Sequence, residues 1–274
     1  MSAVFVFTDL DGTLLNLGDY SYQAALPAVR YLRQQGVPII FCSSKTGAEQ
    51  RFYRRELGIN APFIVENGGG IFIPQRYFKQ DFPFQRTKNG YRIIELGTAY
   101  REIRRVLERI RRETGISFRG WGDMTEAEVA AETGLDPGAA RRAKEREYSE
   151  TLVLNEADED ISRLADEVAK TGLSLIPGSR YHTVTGNSDK GSAVRILAKL
   201  FRKERGRVVT IGIGDSRNDA PMLREVAVPL LMQRPGVSWM EMDDVPHLKR
   251  VVGVGPEGWS RAMMGTVPEL LAKT

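Results

Sequence analysis

The chain has 274 residues, 42% hydrophobic and 27% charged, with a formal net charge of +4, a size that allows one large core plus a smaller second unit. This is an ordinary globular composition, which excludes a disordered or fibrous chain, and no run of about eighteen apolar residues marks a membrane span. The amino-terminal sequence lacks the zones of a signal peptide and the single Cys42 precludes an internal disulfide, so a cytoplasmic location is expected.

Val4-Phe5-Val6-Phe7 predicts a buried strand running into Asp9-Leu10-Asp11-Gly12-Thr13. The pattern then predicts a helix over 22–35 ended by Gly36, a strand over 38–42, a helix over 47–57 stopped by Gly58, and a strand over 63–66. Asn67-Gly68-Gly69-Gly70 reads as a turn, with a hairpin return at 71–73. Short apolar runs alternating with helical periods argue for a parallel sheet with helices on its faces.

From about Thr87 the texture changes. A strand is expected at 92–96, then a strongly periodic helix over 99–113 through Ile103, Val106, Leu107 and Ile110. Its arginines interleave with glutamates, the pattern of a solvated helix face; a nucleic-acid footprint is not expected. Helices over 125–133 and after the Asp136-Pro137 start, strands at 151–154 and 174–177, and a helix over 158–170 complete an inserted α+β block. The parallel texture resumes after Gly186, with a helix over 190–204, a strand over 208–213, a helix over 220–226, a strand over 228–231 and a tail helix. The expected fold class is therefore α/β: a doubly wound, mostly parallel sheet core formed by 1–86 and 186–274, with an α+β domain inserted over 87–185.

The chemistry-bearing residues fall at the ends of these strands and the start of one helix. Ligands in α/β sheets bind outside the carboxyl ends of the strands, where this chain carries Asp9 and Asp11, then Ser43-Ser44-Lys45-Thr46, then Gly214-Asp215-Ser216-Arg217-Asn218-Asp219; Asp189-Lys190 opens a helix. On one reading Asp9 attacks phosphorus while Asp11 handles the leaving-group proton. A phosphate dianion repels a carboxylate, so a cation is needed. Magnesium prefers oxygen, and Asp9, Asp215 and the Asp11 backbone carbonyl suit it. Ser43 and Lys190 would hold phosphoryl oxygens, and Asp219 would orient Lys190 or a metal-bound water. Singly, each residue has a plainer explanation: a capped turn, a helix N-cap or a surface lysine. Those explanations would all have to hold together. Gly212-Ile213-Gly214 lacks the third glycine of a dinucleotide fingerprint, and Lys190 precedes its glycine, unlike a P-loop.

With Asp9-Leu10-Asp11-Gly12-Thr13, Ser43, Lys190 and Gly214-Asp215-x-x-Asn218-Asp219 in place, the chain resembles the haloacid dehalogenase superfamily of phosphatases. The insertion between the second and third motifs resembles the type IIB cap. The resemblance implies that Asp9 is a nucleophile forming an aspartyl-phosphate, that Asp11 is general acid and then base, and that Ser43 and Lys190 bind the phosphoryl group. It implies magnesium as cofactor, with Asp9, Asp11, Asp215 and Asp219 as the metal-site residues. Further segments (41–46, 65–69, 146–150 and 178–182) imply a small phosphorylated sugar-glycerate as substrate, mannosyl-3-phosphoglycerate foremost. Glucosyl-3-phosphoglycerate, another sugar phosphate, phosphomannomutase activity and a non-catalytic sugar-phosphate sensor stay open. Expected substrate contacts are Ser44, Lys45, Asn67, Gly68, Arg146, Ser179 and Arg180, the last as the partner of the glycerate carboxylate. Which of Ser43 and Ser44 meets phosphate, and the oligomeric state, stay open.

Overall fold

The computed structural model describes residues 3–154, 158–178, 181–236 and 239–273. In chain order its elements are β1 (Ala3–Thr8), α1 (Leu26–Gln34), β2 (Ile39–Phe41), α2 (Gly47–Glu56), β3 (Phe63–Val65), β4 (Gly70–Pro74), β5 (Arg86–Lys88), β6 (Tyr91–Glu95), α3 (Tyr100–Thr114), β7 (Arg119–Gly120), α4 (Glu126–Thr133), α5 (Pro137–Lys144) and β8 (Ser149–Val153). They continue with α6 (Asp158–Lys170), β9 (Ser174–Pro177), β10 (His182–Thr185), α7 (Lys190–Arg205), β11 (Val208–Gly214), α8 (Ala220–Arg224), β12 (Val228–Met232), β13 (Lys249–Val251) and α9 (Gly255–Ala272).

The central sheet has the order β13-β12-β11-β1-β2 and every pairing in it is parallel. Strands β12, β11, β1 and β2 are almost continuously apolar because helices cover both faces, while the edge strand β13 carries the exposed Lys249 and Arg250. From β1 the chain builds outward to β2 on one side, and from β11 to β12 and β13 on the other. The seam between β1 and β11 is thus the topological switch point, where the loops diverge and leave a crevice. Asp9 and Asp215 leave the sheet on either side of that seam, with Thr8 paired to Ile213 and the Asp9 N–H donating to the Ile213 carbonyl at 3.0 Å.

A second, antiparallel sheet, β3-β4-β6-β5, adjoins the first through a bridge from Cys42 to Ile64. The expected division at 86/87 falls inside β5, and β6 pairs with β4. Ile93 and Ile94 pack into the same apolar cluster as the central sheet, whereas separate clusters begin with Ile103. Residues 92–96, expected as a strand of the insertion, thus pack with the core.

The third sheet, β7-β8-β10-β9, carries α3 and α6 on one face. Leu152 and Val184 on that face pack with Ile103, Leu107, Leu164 and Val168. The interior strand β10 is not among the strands expected from sequence, because His182-Thr183-Val184-Thr185 offers one strongly apolar residue. One apolar position suffices, since the opposite face turns toward a polar cavity. The α1 helix starts at Leu26 with Pro27 in its first turn, later than the periodicity predicts, after a short 3-10 turn at Gln23–Ala25. Among the described residues no helix is long and apolar enough to cross a membrane.

Candidate active site

The two ends of the chain meet at Asp9. Lys190, first residue of α7, is fully buried, and its Nζ donates to Asp9 Oδ1 at 2.8 Å and to Asp219 Oδ1 at 2.6 Å. Asp189 caps α7 by accepting from the Ser192 N–H, which fixes where the helix starts and hence where Lys190 points. Asp219 is held in turn: its Oδ2 accepts from the Asp215 and Ser216 N–H groups, both at 3.0 Å. This acidic turn therefore closes on itself, as a capped turn would, and also presents a carboxylate to the lysine.

Burial pushes the Asp9 carboxyl up to about 7, with Lys190 pulling against it and the Asp219 and Asp11 charges adding to it. Burial and then the Asp219 and Asp9 charges push Asp215 up to about 8, although Arg234 Nε lies 3.3 Å from its Oδ2. Burial disfavours the Lys190 ammonium, but Asp219 and Asp9 more than offset that, and its pKa stands above the ordinary lysine value. The ammonium is thus locked on while the carboxylates repel one another.

Asp9, Asp215 and Asp219 each offer a carboxylate oxygen, all within 4.8 Å of one another. Hard oxygen donors with surplus negative charge fit a small divalent cation such as magnesium. Asp219 has both oxygens engaged, which leaves Asp9 and Asp215 the freer donors. Gly12 makes this approach possible: its φ is +77°, and a Cβ there would come within 2.8 Å of Asp215 Oδ2.

The serine loop after β2 does not cap α2. Thr46 does so, in a reciprocal capping box with Glu49. Ser43 is fully buried and its Oγ accepts from the Lys45 N–H at 3.3 Å, while Ser44 lines the cavity described below. Lys45 Nζ lies 3.0 Å from Asp11 Oδ1 and 3.3 Å from Glu49 Oε1, over the ring of Tyr20. Burial opposes the Lys45 charge, yet Asp11 and Glu49 raise its pKa above the ordinary value.

A cavity of about 370 Å³ opens above Asp9, Asp11 and Asp215. Its opposite wall comes from the third sheet and its loops, including Trp121, Arg146, Thr151 and Thr183. Of the expected substrate contacts, Ser44, Lys45 and Arg146 line this cavity. Asn67 is buried behind it, where its Oδ1 accepts from Asn218 Nδ2 at 3.4 Å. Gly68 stands apart: it packs on the start of α7, and a Cβ there would lie 2.1 Å from the Asp189 carbonyl. Ser179 and Arg180 lie outside the described residues.

Sequence reasoning passed over Arg234 and Glu66. Arg234 follows β12 with no flanking motif to mark it. Glu66 sits in the Val65-Glu66-Asn67-Gly68 segment, where an acidic residue between an apolar strand and a glycine turn was the available signal.

This fold and this carboxylate–lysine site define a class. The sequence profile of haloacid dehalogenase-like hydrolases matches residues 6–235, and the chain belongs to that family. It is an enzyme, a phosphatase. A Methanococcoides burtonii protein named glucosyl-3-phosphoglycerate/mannosyl-3-phosphoglycerate phosphatase is 42% identical over 262 residues, covering 96% of each chain. A Pyrococcus furiosus protein named mannosyl-3-phosphoglycerate phosphatase is 37% identical over 227 residues, covering 83% of this chain and 90% of its own. Among solved structures, a sugar phosphatase of haloacid dehalogenase subclass IIB shares the fold with a TM-score of 0.61 at 16% identity, covering 96% of this chain and 98% of its own.

Proposed function

We propose that the enzyme releases phosphate from a sugar-linked 3-phosphoglycerate, mannosyl-3-phosphoglycerate first, through an aspartyl-phosphate on Asp9. The observation that carries this reading is the position of Asp9 at the floor of a cavity whose far wall is polar and supplied by the inserted residues. A phosphoester at Asp9 would have its alcohol portion among those side chains. The relatives' names supply the sugar-glycerate identity. The relative named for both sugars favours glucosyl-3-phosphoglycerate as a second substrate.

Asp9 would attack phosphorus through one carboxylate oxygen as the ester P–O bond breaks. Asp11 would give its proton to the departing hydroxyl oxygen and then take one from the water that hydrolyses the acyl phosphate. Lys190, charged and fixed by Asp219, would face the phosphoryl oxygens and stabilise charge as it develops there. Ser43 or Ser44 would hold a remaining phosphoryl oxygen, and Lys45 would keep Asp11 turned toward the cavity. Magnesium, held by Asp9 and Asp215 with the Asp11 carbonyl, would neutralise the phosphate charge that otherwise repels the nucleophile.

The test is phosphate release with magnesium from mannosyl-, glucosyl- and unglycosylated 3-phosphoglycerate, and from a panel of sugar monophosphates. The expected result is the highest kcat/KM on the glycosylated acids and none with Asp9→Asn. Equal or better turnover of plain sugar phosphates would overturn the substrate assignment.

A further inference from the structure

Three buried hydrogen-bond donors on residues of the far wall have no partner among the described residues: Trp121 Nε1, Arg146 Nε and Thr151 Oγ1. Trp121 is 7% exposed, Thr151 4%, and the Arg146 side chain 7%. All three residues line the cavity. Buried donors are nearly always satisfied, so three left over in one wall point to an acceptor that arrives with a ligand.

Separate elements supply these groups. Trp121 opens the 3-10 turn after β7, Arg146 lies just before β8, and Thr151 is on β8. Leu152 enters the apolar cluster behind the sheet, so Thr151 takes the opposite face, beside its register partner Thr183. The Arg146 guanidinium lies 5.2 Å from the Trp121 ring. Its Nη1 donates to Ser149 Oγ at 2.8 Å and to the Ser44 carbonyl at 3.5 Å, with Glu66 Oε2 at 4.0 Å. The Glu66 carboxylate already accepts from the Glu147 and Tyr148 N–H groups and from Ser149 Oγ. One edge of the guanidinium is thus fixed and the Nε edge is left over. The other charges on this side, Lys45, Asp11 and Glu49, are paired among themselves.

We propose that Trp121, Arg146 and Thr151 form a carboxylate subsite that recognises the glycerate carboxylate of the substrate, a proposal that rests on the phosphoglycerate reading above. An indole N–H and a guanidinium N–H only donate, and a carboxylate only accepts. The Thr151 hydroxyl can donate or accept and would suit either partner, so the choice of an anion rests on the indole and guanidinium N–H groups and on the charge of the latter. The positive charge and flat shape of the guanidinium select an anion of the same shape. In 3-phosphoglycerate a single carbon separates the carboxyl carbon from the carbon bearing the phosphate. The two anionic groups must therefore be bound close together, and Arg146 reaches the Ser44 carbonyl in the loop next to Ser43. Arg180, the partner of this carboxylate expected from sequence, lies outside the described residues.

Trp121→Phe keeps the ring and removes only the N–H; Thr151→Val keeps the shape and removes the hydroxyl. Each is assayed on mannosyl-3-phosphoglycerate and on 4-nitrophenyl phosphate, which has no carboxylate, with folding followed by circular dichroism. The expected result is a fall in kcat/KM on the glycerate ester of roughly 5–30-fold per variant, at least fivefold larger than any fall on the aryl phosphate. Proportionate losses on both substrates overturn the proposal. If the wild type cleaves the aryl phosphate but no glycosylated phosphoglycerate, the substrate reading fails on its own. The subsite is then judged by inhibition of aryl-phosphate hydrolysis by D-glycerate against glycerol. Selective inhibition by the acid that weakens in Trp121→Phe supports the subsite; equal inhibition by both, or none, removes it.

Discussion

Lys190→Met keeps an unbranched side chain, one atom shorter, and removes its charge. The wild-type ammonium is buried between Asp9 at 2.8 Å and Asp219 at 2.6 Å. Without it two buried carboxylate oxygens lose their cation, and breaking a buried ion pair from one side costs about 3–5 kcal/mol. At roughly 2 cal/mol/K of unfolding entropy per residue, each kcal/mol shifts Tm of a chain this long by about 2 °C, so Tm should drop roughly 6–10 °C near pH 8 in chelator. The loss depends on pH with a definite sign. The folded Asp9 value of about 7 exceeds its ordinary 3.8, so between those values the folded protein binds more protons than the unfolded one, and this contribution to stability declines as pH rises. Removing the lysine enlarges the effect, because protonation becomes the remaining way to relieve the carboxylates. The deficit of the variant relative to wild type should therefore be smaller near pH 5 than near pH 8. Circular-dichroism melts at both pH values measure it. A deficit equal at the two, or absent near pH 8, would refute the reasoning. The variant should also lose at least about 10²–10³ in kcat, the effect of removing one group that stabilises transition-state charge.

Asp11→Asn should cost roughly two to four orders of magnitude on a sugar ester, and single-turnover assays should show a smaller first-step loss on aryl phosphates, whose leaving groups need no proton; equal first-step losses remove the acid role. Magnesium should raise the wild-type Tm, by the equivalent of about 2.7 kcal/mol at a hundredfold excess over Kd, and should leave Asp215→Ala nearly unmoved; the same rise in the variant overturns the metal site. Gly68→Ala should destabilise by at least about 1–3 kcal/mol, because its φ of +97° is strained for any other residue and the new Cβ strikes the Asp189 carbonyl. Its kcat/KM should fall alike on sugar and aryl esters, since the change displaces Lys190; a loss confined to the sugar ester would return Gly68 to the substrate contacts.

The meeting of the carboxylates with Lys190 is legible in the sequence because it depends on local motifs. Asp9 and Asp11 follow an apolar strand, Asp215 follows another, and Lys190 opens a capped helix, so parallel strand order alone brings them to one rim. The far wall of the cavity is less legible. Trp121 sits in a short 3-10 turn and Thr151 in a five-residue strand. Neither has a neighbour in sequence that announces a role. What distinguishes them is the missing acceptor, a property that exists only once Leu152 has chosen the apolar face and turned Thr151 the other way. Gly68 carries a second demand that the sequence does not show: a glycine in a turn beside these carboxylates invites a ligand, and its missing side chain here admits the backbone of α7.

The loop between β3 and β4 joins these two halves. Glu66 and Asn67 both have left-handed backbones, with φ of +50° and +56°, a conformation that costs non-glycine residues of order 1–3 kcal/mol each. Strain of this kind persists where the surroundings over-determine it, and here the contacts of the Glu66 carboxylate with residues 147–149 do so. The Asn67 N–H donates to the Ser43 carbonyl, and Thr46 Oγ1 donates to the Arg142 carbonyl at 2.7 Å. The loops that carry Ser43 and Lys45 are thus tied to the backbone that carries Arg146. A phosphate and the carboxylate close beside it would be gripped by a single connected set of hydrogen bonds, which is how binding of the acid group can help orient the phosphorus for attack by Asp9.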